Sequence, residues 1–279
     1  MADDKYRSPL KELVVRGTEI TAAVTGAAAS ARYLTEDPNA VVSLLFDEAP
    51  LFAGTMAWVA SEYLDRRLSK RERVRVDTAI TFAARKAYQR IMNGDQVRSD
   101  DFFHRNQQEG RAPSEEIAEA VALAAQREPE ESKVRHIGAV IGNLGFEPSL
   151  DRVAGNWFVR LAEDLSYTQM QLLALVGRNA EIALPQEREE RVGGISWKAT
   201  SISRQFAELG FAGKELILPK PREGEGLPTN ISVPADQQFT PFGQNLFVLM
   251  DLVSVPIEEL RDVAAALWEA SGKPQPASS

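Results

Sequence analysis

The stretch Ser201-Ile-Ser-Arg-Gln-Phe-Ala-Glu-Leu-Gly-Phe211 decides how the last third of this 279-residue chain is read. Ile202, Phe206 and Leu209 recur at helical spacing, so the segment is predicted to bury one face of a helix. Gly210 follows at once, where a helix can leave through the left-handed region, and Phe211 is expected to fold back on the last turn as in a Schellman stop. Downstream, Glu215-Leu-Ile-Leu218 reads as a short strand, Arg222-Glu-Gly-Glu-Gly226 as a turn, and Asn230-Ile-Ser-Val233 as a returning strand. Thr240-Pro241 then places an N-cap before a proline at the first helical position, where a missing N–H costs nothing. Phe242, Leu246, Leu249 and Met250 are the expected apolar face of that helix. Upstream, Ser166 and Gln169 stand at capping-box spacing before the apolar run Met170 to Val176. A polar connection, Glu187 to Arg191, leads from there to Gly193-Gly194.

This order of helices, hairpin and closing helix resembles that of winged-helix proteins, through Phe206–Phe211, the hairpin and Phe239-Thr-Pro-Phe-Gly243. The fold class it implies is mainly α, a multi-helix bundle followed by a winged-helix-like module with a small two-stranded hairpin. Four regions are expected: an N-terminal helical region (1–112), a central bundle (113–165), the winged-helix-like module (166–270) and a disordered Pro/Ser tail (271–279). From His136 onward the chain also resembles the abortive-infection alpha proteins of bacteria. The matching pieces are Leu165-Ser166 to Leu172-Leu173, Leu209-Gly210-Phe211 and Thr240-Pro241-Phe242-Gly243. That resemblance implies a bacterial protein of phage-defence or stress context and transfers no functional residues.

Composition narrows the function classes. A formal net charge of -8 argues against coating nucleic acid by bulk electrostatics. The absence of cysteine excludes disulfides, thiolate metal sites and a cysteine nucleophile, and fits a reducing cytoplasm. The charged start Met1-Ala-Asp-Asp-Lys-Tyr-Arg7 is not that of a secretory signal. The longest uncharged stretches, Ile20–Ala31 and Ala49–Ser61, fall short of the ~20 apolar residues of a spanning helix. Their small residues, among them Ala22, Gly26, Ala29, Ala53 and Gly54, suit close helix packing, with self-association as the sharper alternative.

Residues 1–12 are expected to be polar and frayed, followed by helices over Leu13–Leu34, Val41–Phe46 and Leu51–Leu64. A second capping box, Ser69-Lys-Arg-Glu72, opens a long helix reaching Met92, with Val76, Ile80, Ala83, Ala84, Ala87 and Ile91 as its buried stripe. Arg66, Arg67, Lys70, Arg71, Arg73 and Arg75 crowd its start, where cations oppose the helix dipole. They form the candidate interaction surface. Asp100, Asp101 and His104 are the one crowd of acids and histidine, read as a metal or acid/base candidate against a plain helix cap. The loop Gly110–Pro113 is the expected boundary. Ile117, Val121 and Ala124, then Val134, Ile137, Ile141 and Leu144, mark two further helices, with His136 beside the second stripe. Leu150 to Leu165 gives another apolar series in which Val153, Trp157 and Phe158 are expected in the core, and Pro256 opens a final amphipathic helix through Val263, Leu267 and Trp268.

No phosphate-cradling glycine loop, Gly-x-Ser-x-Gly elbow or metal-ligand spacing is present in the sequence, and no catalytic, cofactor or metal residue is assigned. The expectation is a cytoplasmic bacterial interaction or regulatory protein without catalysis or cofactor, with another protein or a second copy as partner. The first alternative is a winged-helix DNA-binding regulator, touching DNA through Lys198, Arg204, Gln205, Lys220 and Arg222. The second is a carboxylate-dependent enzyme.

Overall fold

The computed structural model describes residues 3–24, 37–105, 110–186, 196–211, 213–220 and 234–273, the side chains of 3–6 and 19–24 excepted. The described residues are mainly helical, and the chain divides into two compact units, Met1–Asp164 and Leu165–Ser279.

The N-terminal unit contains α1 (Asp3–Val24), α2 (Pro38–Glu48), α3 (Pro50–Leu64), α4 (Lys70–Met92), α5 (Pro113–Arg127), α6 (Glu131–Leu144) and α7 (Arg152–Asp164). The start of the chain departs from expectation: α1 begins at Asp3 and runs through Pro9. Leu10, Leu13 and Val14, spaced three and four apart, are fully buried, and this stripe carries the helix back into the segment expected to fray. The expected packing at Ala22, Gly26 and Ala29 lies outside the described side chains.

Helix α4 is the axis of this unit. The Ser69 box holds its start as expected: the Glu72 amide donates to Ser69 Oγ and the Ser69 amide to Glu72 Oε2. Val76, Ile80, Ala83, Ala84 and Ala87 are buried along it, with Ile91 at the margin. The most extensive contact is with α6, and its cause is a spacing of four on both helices. Gly138 lies over Ala79 and Gly142 over Ala83. A β-carbon at Gly138 would sit 2.8 Å from Ala79 Cα, and one at Gly142 would sit 2.7 Å from the Ala83 carbonyl oxygen. Only glycine lets the two backbones touch.

On its other side α4 meets three consecutive residues of α1. Arg16 pairs with the Asp77 carboxylate through Nε and Nη2, the latter at 2.9 Å. A β-carbon at Gly17 would lie 2.7 Å from the Asp77 carbonyl oxygen. Thr18 Oγ1 accepts from Arg85 Nη2 at 3.1 Å. Asp77 and Arg85 are each only 2% exposed, so these polar groups are packed inside the unit. Burial pushes the Asp77 carboxyl up against the opposing pull of the Arg16 guanidinium.

Helices α5 and α7 pack together through Gly155, where a β-carbon would meet Ile117 Cδ1 at 2.5 Å. Gly155, Phe158, Val159 and Ala162 are the buried stripe of α7. Two expected core residues fall outside it: Val153 is 75% exposed, and Trp157 lies at the surface with its ring against the edge of Phe158 at 5.0 Å. An i, i+3, i+4 count admits neighbouring stripes, and the glycine decides which one faces inward. The loop expected as a boundary falls within this unit, since α5 packs on both α3 and α4. One link there is the buried pair Thr55 Oγ1 and Ser114 Oγ at 3.0 Å.

The C-terminal unit contains α8 (Tyr167–Gly177), α9 (Trp197–Glu208), β1 (Ile217–Pro219), β2 (Gln237–Phe239), α10 (Pro241–Leu249) and α11 (Ile257–Ser271). Ser166 and Gln169 form the expected capping box on α8. Ile202, Phe206 and Leu209 are buried along α9. The stop after α9 differs from the expected one. Gly210 does not take a positive φ; turns continue to Phe211, whose carbonyl accepts from Lys214 and Glu215. Reversal comes at Gly213 (φ +99°) and Glu215 (φ +49°), and Phe211 stays exposed.

Strands β1 and β2 pair antiparallel with Ile217 opposite Phe239 and Pro219 opposite Gln237. The partner of the first strand is thus the segment just before Thr240. The expected returning strand Asn230–Val233 and the turn 222–226 lie outside the described residues. Thr240 caps α10 as expected, accepting from the Gly243 amide at 3.0 Å and donating to the Glu215 carbonyl at 2.6 Å. Gly243 lets α10 close on β1, since a β-carbon there would meet the Leu216 carbonyl. Leu246, Leu249 and Met250 are buried; Phe242, expected beside them, is exposed because it precedes that close approach on the outer side of the first turn.

These contacts make two mutational expectations. Gly138→Ala should lower thermal stability by about 1–3 kcal/mol or more through overpacking, whereas Gly54→Ala, with open space around its β-position, should be neutral or stabilising by up to about 1 kcal/mol; equal melting shifts would contradict the packing. Arg16→Met should cost about 3–5 kcal/mol in denaturant titrations by leaving Asp77 charged and unpaired, and an effect under about 1 kcal/mol would contradict the pairing.

Candidate interaction surfaces

Half of the basic cluster at the start of α4 is engaged in holding its own unit. Arg66 pairs with Glu119 at 3.1 Å and lies over the Tyr63 ring at 4.3 Å. Arg73 donates to the Arg66 carbonyl at 3.3 Å, and Arg75 to the carbonyls of Arg71 and Glu128. Burial would lift the Glu119 carboxyl, but the guanidinium groups of Arg111 and Arg66 outweigh it and hold it below the usual range. Tyr63, desolvated beneath Arg66, has its phenol pushed up to about 12. The side chains of Arg67, Lys70 and Arg71 remain exposed and without an ionic partner among the described residues. The candidate surface therefore contracts to these three cations at one corner.

The acid and histidine crowd is built around an arginine that the sequence did not single out. Arg98 is buried and holds Asp100 through Nε and Nη2, one edge of its guanidinium, at 2.7 and 2.5 Å. Its Nη1 donates to the carbonyls of Leu144, Glu147 and Leu150 at 3.3, 3.0 and 2.9 Å, and the guanidinium stacks on Phe102 at 4.1 Å. Arg98 thus pins the turn between α6 and α7 to the short 3-10 turn Asp101–Phe103. The hydrogen bonds from Arg98 hold the Asp100 carboxyl below its ordinary range despite partial burial. Asp101 and His104 are exposed, and no side-chain cap forms at Asp100. His136 is buried in α6 and accepts from Arg135 Nε at Nε2 (3.0 Å). Among the described residues no group of three or more His, Asp and Glu is placed to hold a metal ion.

In the C-terminal unit, α9 carries three residues of the DNA alternative, Lys198, Arg204 and Gln205, and Lys220 follows β1. Gln205 is taken inward, accepting from Ser166 Oγ at 2.6 Å and donating to Ser201 Oγ at 3.4 Å. Lys220 donates to the Ala235 carbonyl at 3.0 Å, and Arg222 lies outside the described residues. Lys198 and Arg204 are exposed. The residue that sequence reasoning missed is Trp197, at the first position of α9 and 83% exposed. Trp197 and Arg204 are seven residues apart, two helical turns, and share one stripe, with Lys198 on its flank. The helix stays anchored beneath them: Ser196 Oγ accepts from the Ala199 amide at 3.2 Å, and the Ser196 amide donates to Glu269 on α11 at 2.8 Å. The signal was available, since a tryptophan directly after a serine cap, outside the Ile202–Phe206–Leu209 stripe, has no place in the core.

No helix among the described residues is long and apolar enough to cross a membrane. Comparison with family models, with curated proteins and with solved structures found no match.

The capping box makes a pH expectation. Hydrogen bonds from Ser69 and Gln126 bring the Glu72 carboxyl from an ordinary 4.5 down to about 2. A depressed folded-state pKa means that the unfolded chain binds the proton first, so this stabilisation is complete above about 4.5 and is lost as pH falls towards 2. Acid titration followed by circular dichroism should show a shallower loss across that window for Glu72→Gln than for the parent chain; parallel curves would contradict the assignment.

Proposed function

We propose that this chain is a non-catalytic interaction protein of the bacterial cytoplasm, acting in phage defence or stress response, with its C-terminal unit serving as a winged-helix-like docking module. The observation that carries the docking reading is Trp197 at 83% exposure, aligned with Arg204 and flanked by Lys198 on a helix held to its unit through Ser196, Gln205 and the buried Ile202–Phe206 stripe. Tryptophan and arginine are the residues that most often dominate interface energetics. A lone exposed aromatic is ordinary, but one beside two exposed cations suits a partner segment that offers an apolar side chain between carboxylates. The helix, short antiparallel pair and Thr-Pro-capped helix support the winged-helix reading, and the sequence resemblance to abortive-infection alpha proteins supports the cellular context.

Duplex DNA on the same helix is the second reading, supported by exposed Lys198 and Arg204. It is weaker because Gln205 and Lys220 are engaged within the unit, and backbone binding draws on several phosphate contacts at once.

Pull-down with the full chain against the products of neighbouring genes separates the readings. Trp197→Ala and Arg204→Glu should each reduce capture of the partner by about tenfold or more, with circular dichroism unchanged. Capture by both variants equal to that by the parent chain would refute the docking face, and a salt-sensitive gel shift with duplex DNA that both variants abolish would transfer the surface to the DNA reading.

A further inference from the structure

A cleft of about 420 Å³ opens between α1 and α2, lined by Arg7, Ser8, Lys11, Asn39, Val42 and Ser43. Two cations, two hydroxyls and an amide surround one buried valine, and among the described residues no carboxylate lines the space. Two described acids beside it, Asp37 and Glu12, are directed elsewhere. Asp37 accepts from the backbone and side-chain nitrogens of Asn39, each at 3.0 Å, and Glu12 reaches Arg16 at 3.4 Å.

Arg7 is held in place before any ligand arrives. Its Nη2 donates to Ser43 Oγ at 3.0 Å, and its guanidinium lies over the Phe46 ring at 5.5 Å. Among the described residues the other N–H donors of the planar fork meet no acceptor, and they can turn to oxygens in the cleft. Lys11 stands four residues on, on the same face of α1, exposed and without a partner among the described residues. Two cations at this spacing repel each other, so the empty arrangement is mildly unfavourable and an anion between them reverses the sign.

From this geometry we infer that the cleft binds the phosphate group of a small phosphomonoester. A dianion with three terminal oxygens can meet the Arg7 fork, the Lys11 ammonium and the Ser8 and Ser43 hydroxyls together, which a monocarboxylate cannot. The volume lies in the range of small-molecule sites, far above the ~30 Å³ share of a single water. It leaves space for an organic group of sugar size against Val42.

Calorimetric titration of the full chain with inorganic phosphate and with glucose 6-phosphate, above the second phosphate pKa of about 6, tests this site. Saturable binding is expected, tighter for the sugar phosphate and weakened about tenfold by Lys11→Ala and by Arg7→Lys. Lys11 is exposed, so its variant keeps the fold even if Arg7→Lys does not, and Lys70→Ala, in the separate basic corner, should bind like the parent chain. Sedimentation with phosphatidylcholine vesicles, with and without phosphatidate, distinguishes a lipid headgroup from a free ester: capture that requires phosphatidate, Arg7 and Lys11 places the phosphomonoester on a membrane. No saturable binding in either format, or equal binding by the parent chain and the Lys11→Ala variant, overturns the proposal.

Discussion

Glycine at the crossing points of α4 is the constraint on which the N-terminal unit depends. Gly17 on α1 and Gly138 and Gly142 on α6 each stand where a β-carbon would collide with the α4 backbone or with Thr81. Helices that approach this closely bring many atoms within dispersion range, which a core rich in alanine needs because each alanine offers little area of its own. Ala79, Ala83, Ala84 and Ala87 of α4 are all buried. Closeness also fixes polar chemistry: with Gly17 on α4, Arg16 reaches Asp77 across the crossing, and Thr18 receives Arg85. The buried ion pair is thus a consequence of the backbone approach and sets the register of the two helices.

The same geometry explains why so much charge contributes so little free surface chemistry. Arg98 ties two turns together through Asp100 and three carbonyls, Arg90 bridges to Asp95 and Glu147, and Lys133 and Glu128 pair in the interior at 2.5 Å. In the C-terminal unit Glu259 accepts from Tyr167 and Gln171, and Arg178 joins Glu181 while donating to the Val255 carbonyl. Among the described residues, the outward groups that form candidate surfaces are separable: the corner of Arg67, Lys70 and Arg71, the α1–α2 cleft with Arg7 and Lys11, and Trp197 with Arg204.

Features set by neighbours in the chain were legible in the sequence. Both capping boxes, the Thr240-Pro241 start and the apolar stripes of α4, α6 and α9 depend on residues three or four apart, and they stand where the spacing places them. Features set by contacts distant in sequence were not. Spacing alone could not say that Gly155 turns Trp157 outward, or that β1 pairs with Gln237–Phe239, a segment with no β-branched residue. The glycines at 138 and 142 were visible at a spacing of four, yet their meaning required the alanines of α4 opposite them, while Gly54 has open space. The candidate surfaces followed the same division. A basic run can be counted, but which of its members are engaged depends on Glu119 and Glu128, about 53 residues further along the chain.

Native-state hydrogen exchange reads the central claim most directly, because it ranks helices by the free energy needed to open them. If α4 is the axis, the amides from Val76 to Ala87 and those of α6 around Gly138–Gly142 will exchange slowest in the N-terminal unit and with one common free energy, equal to that of global unfolding. Faster exchange along α4 than along α5 or α7, or distinct opening energies for α4 and α6, would contradict the account.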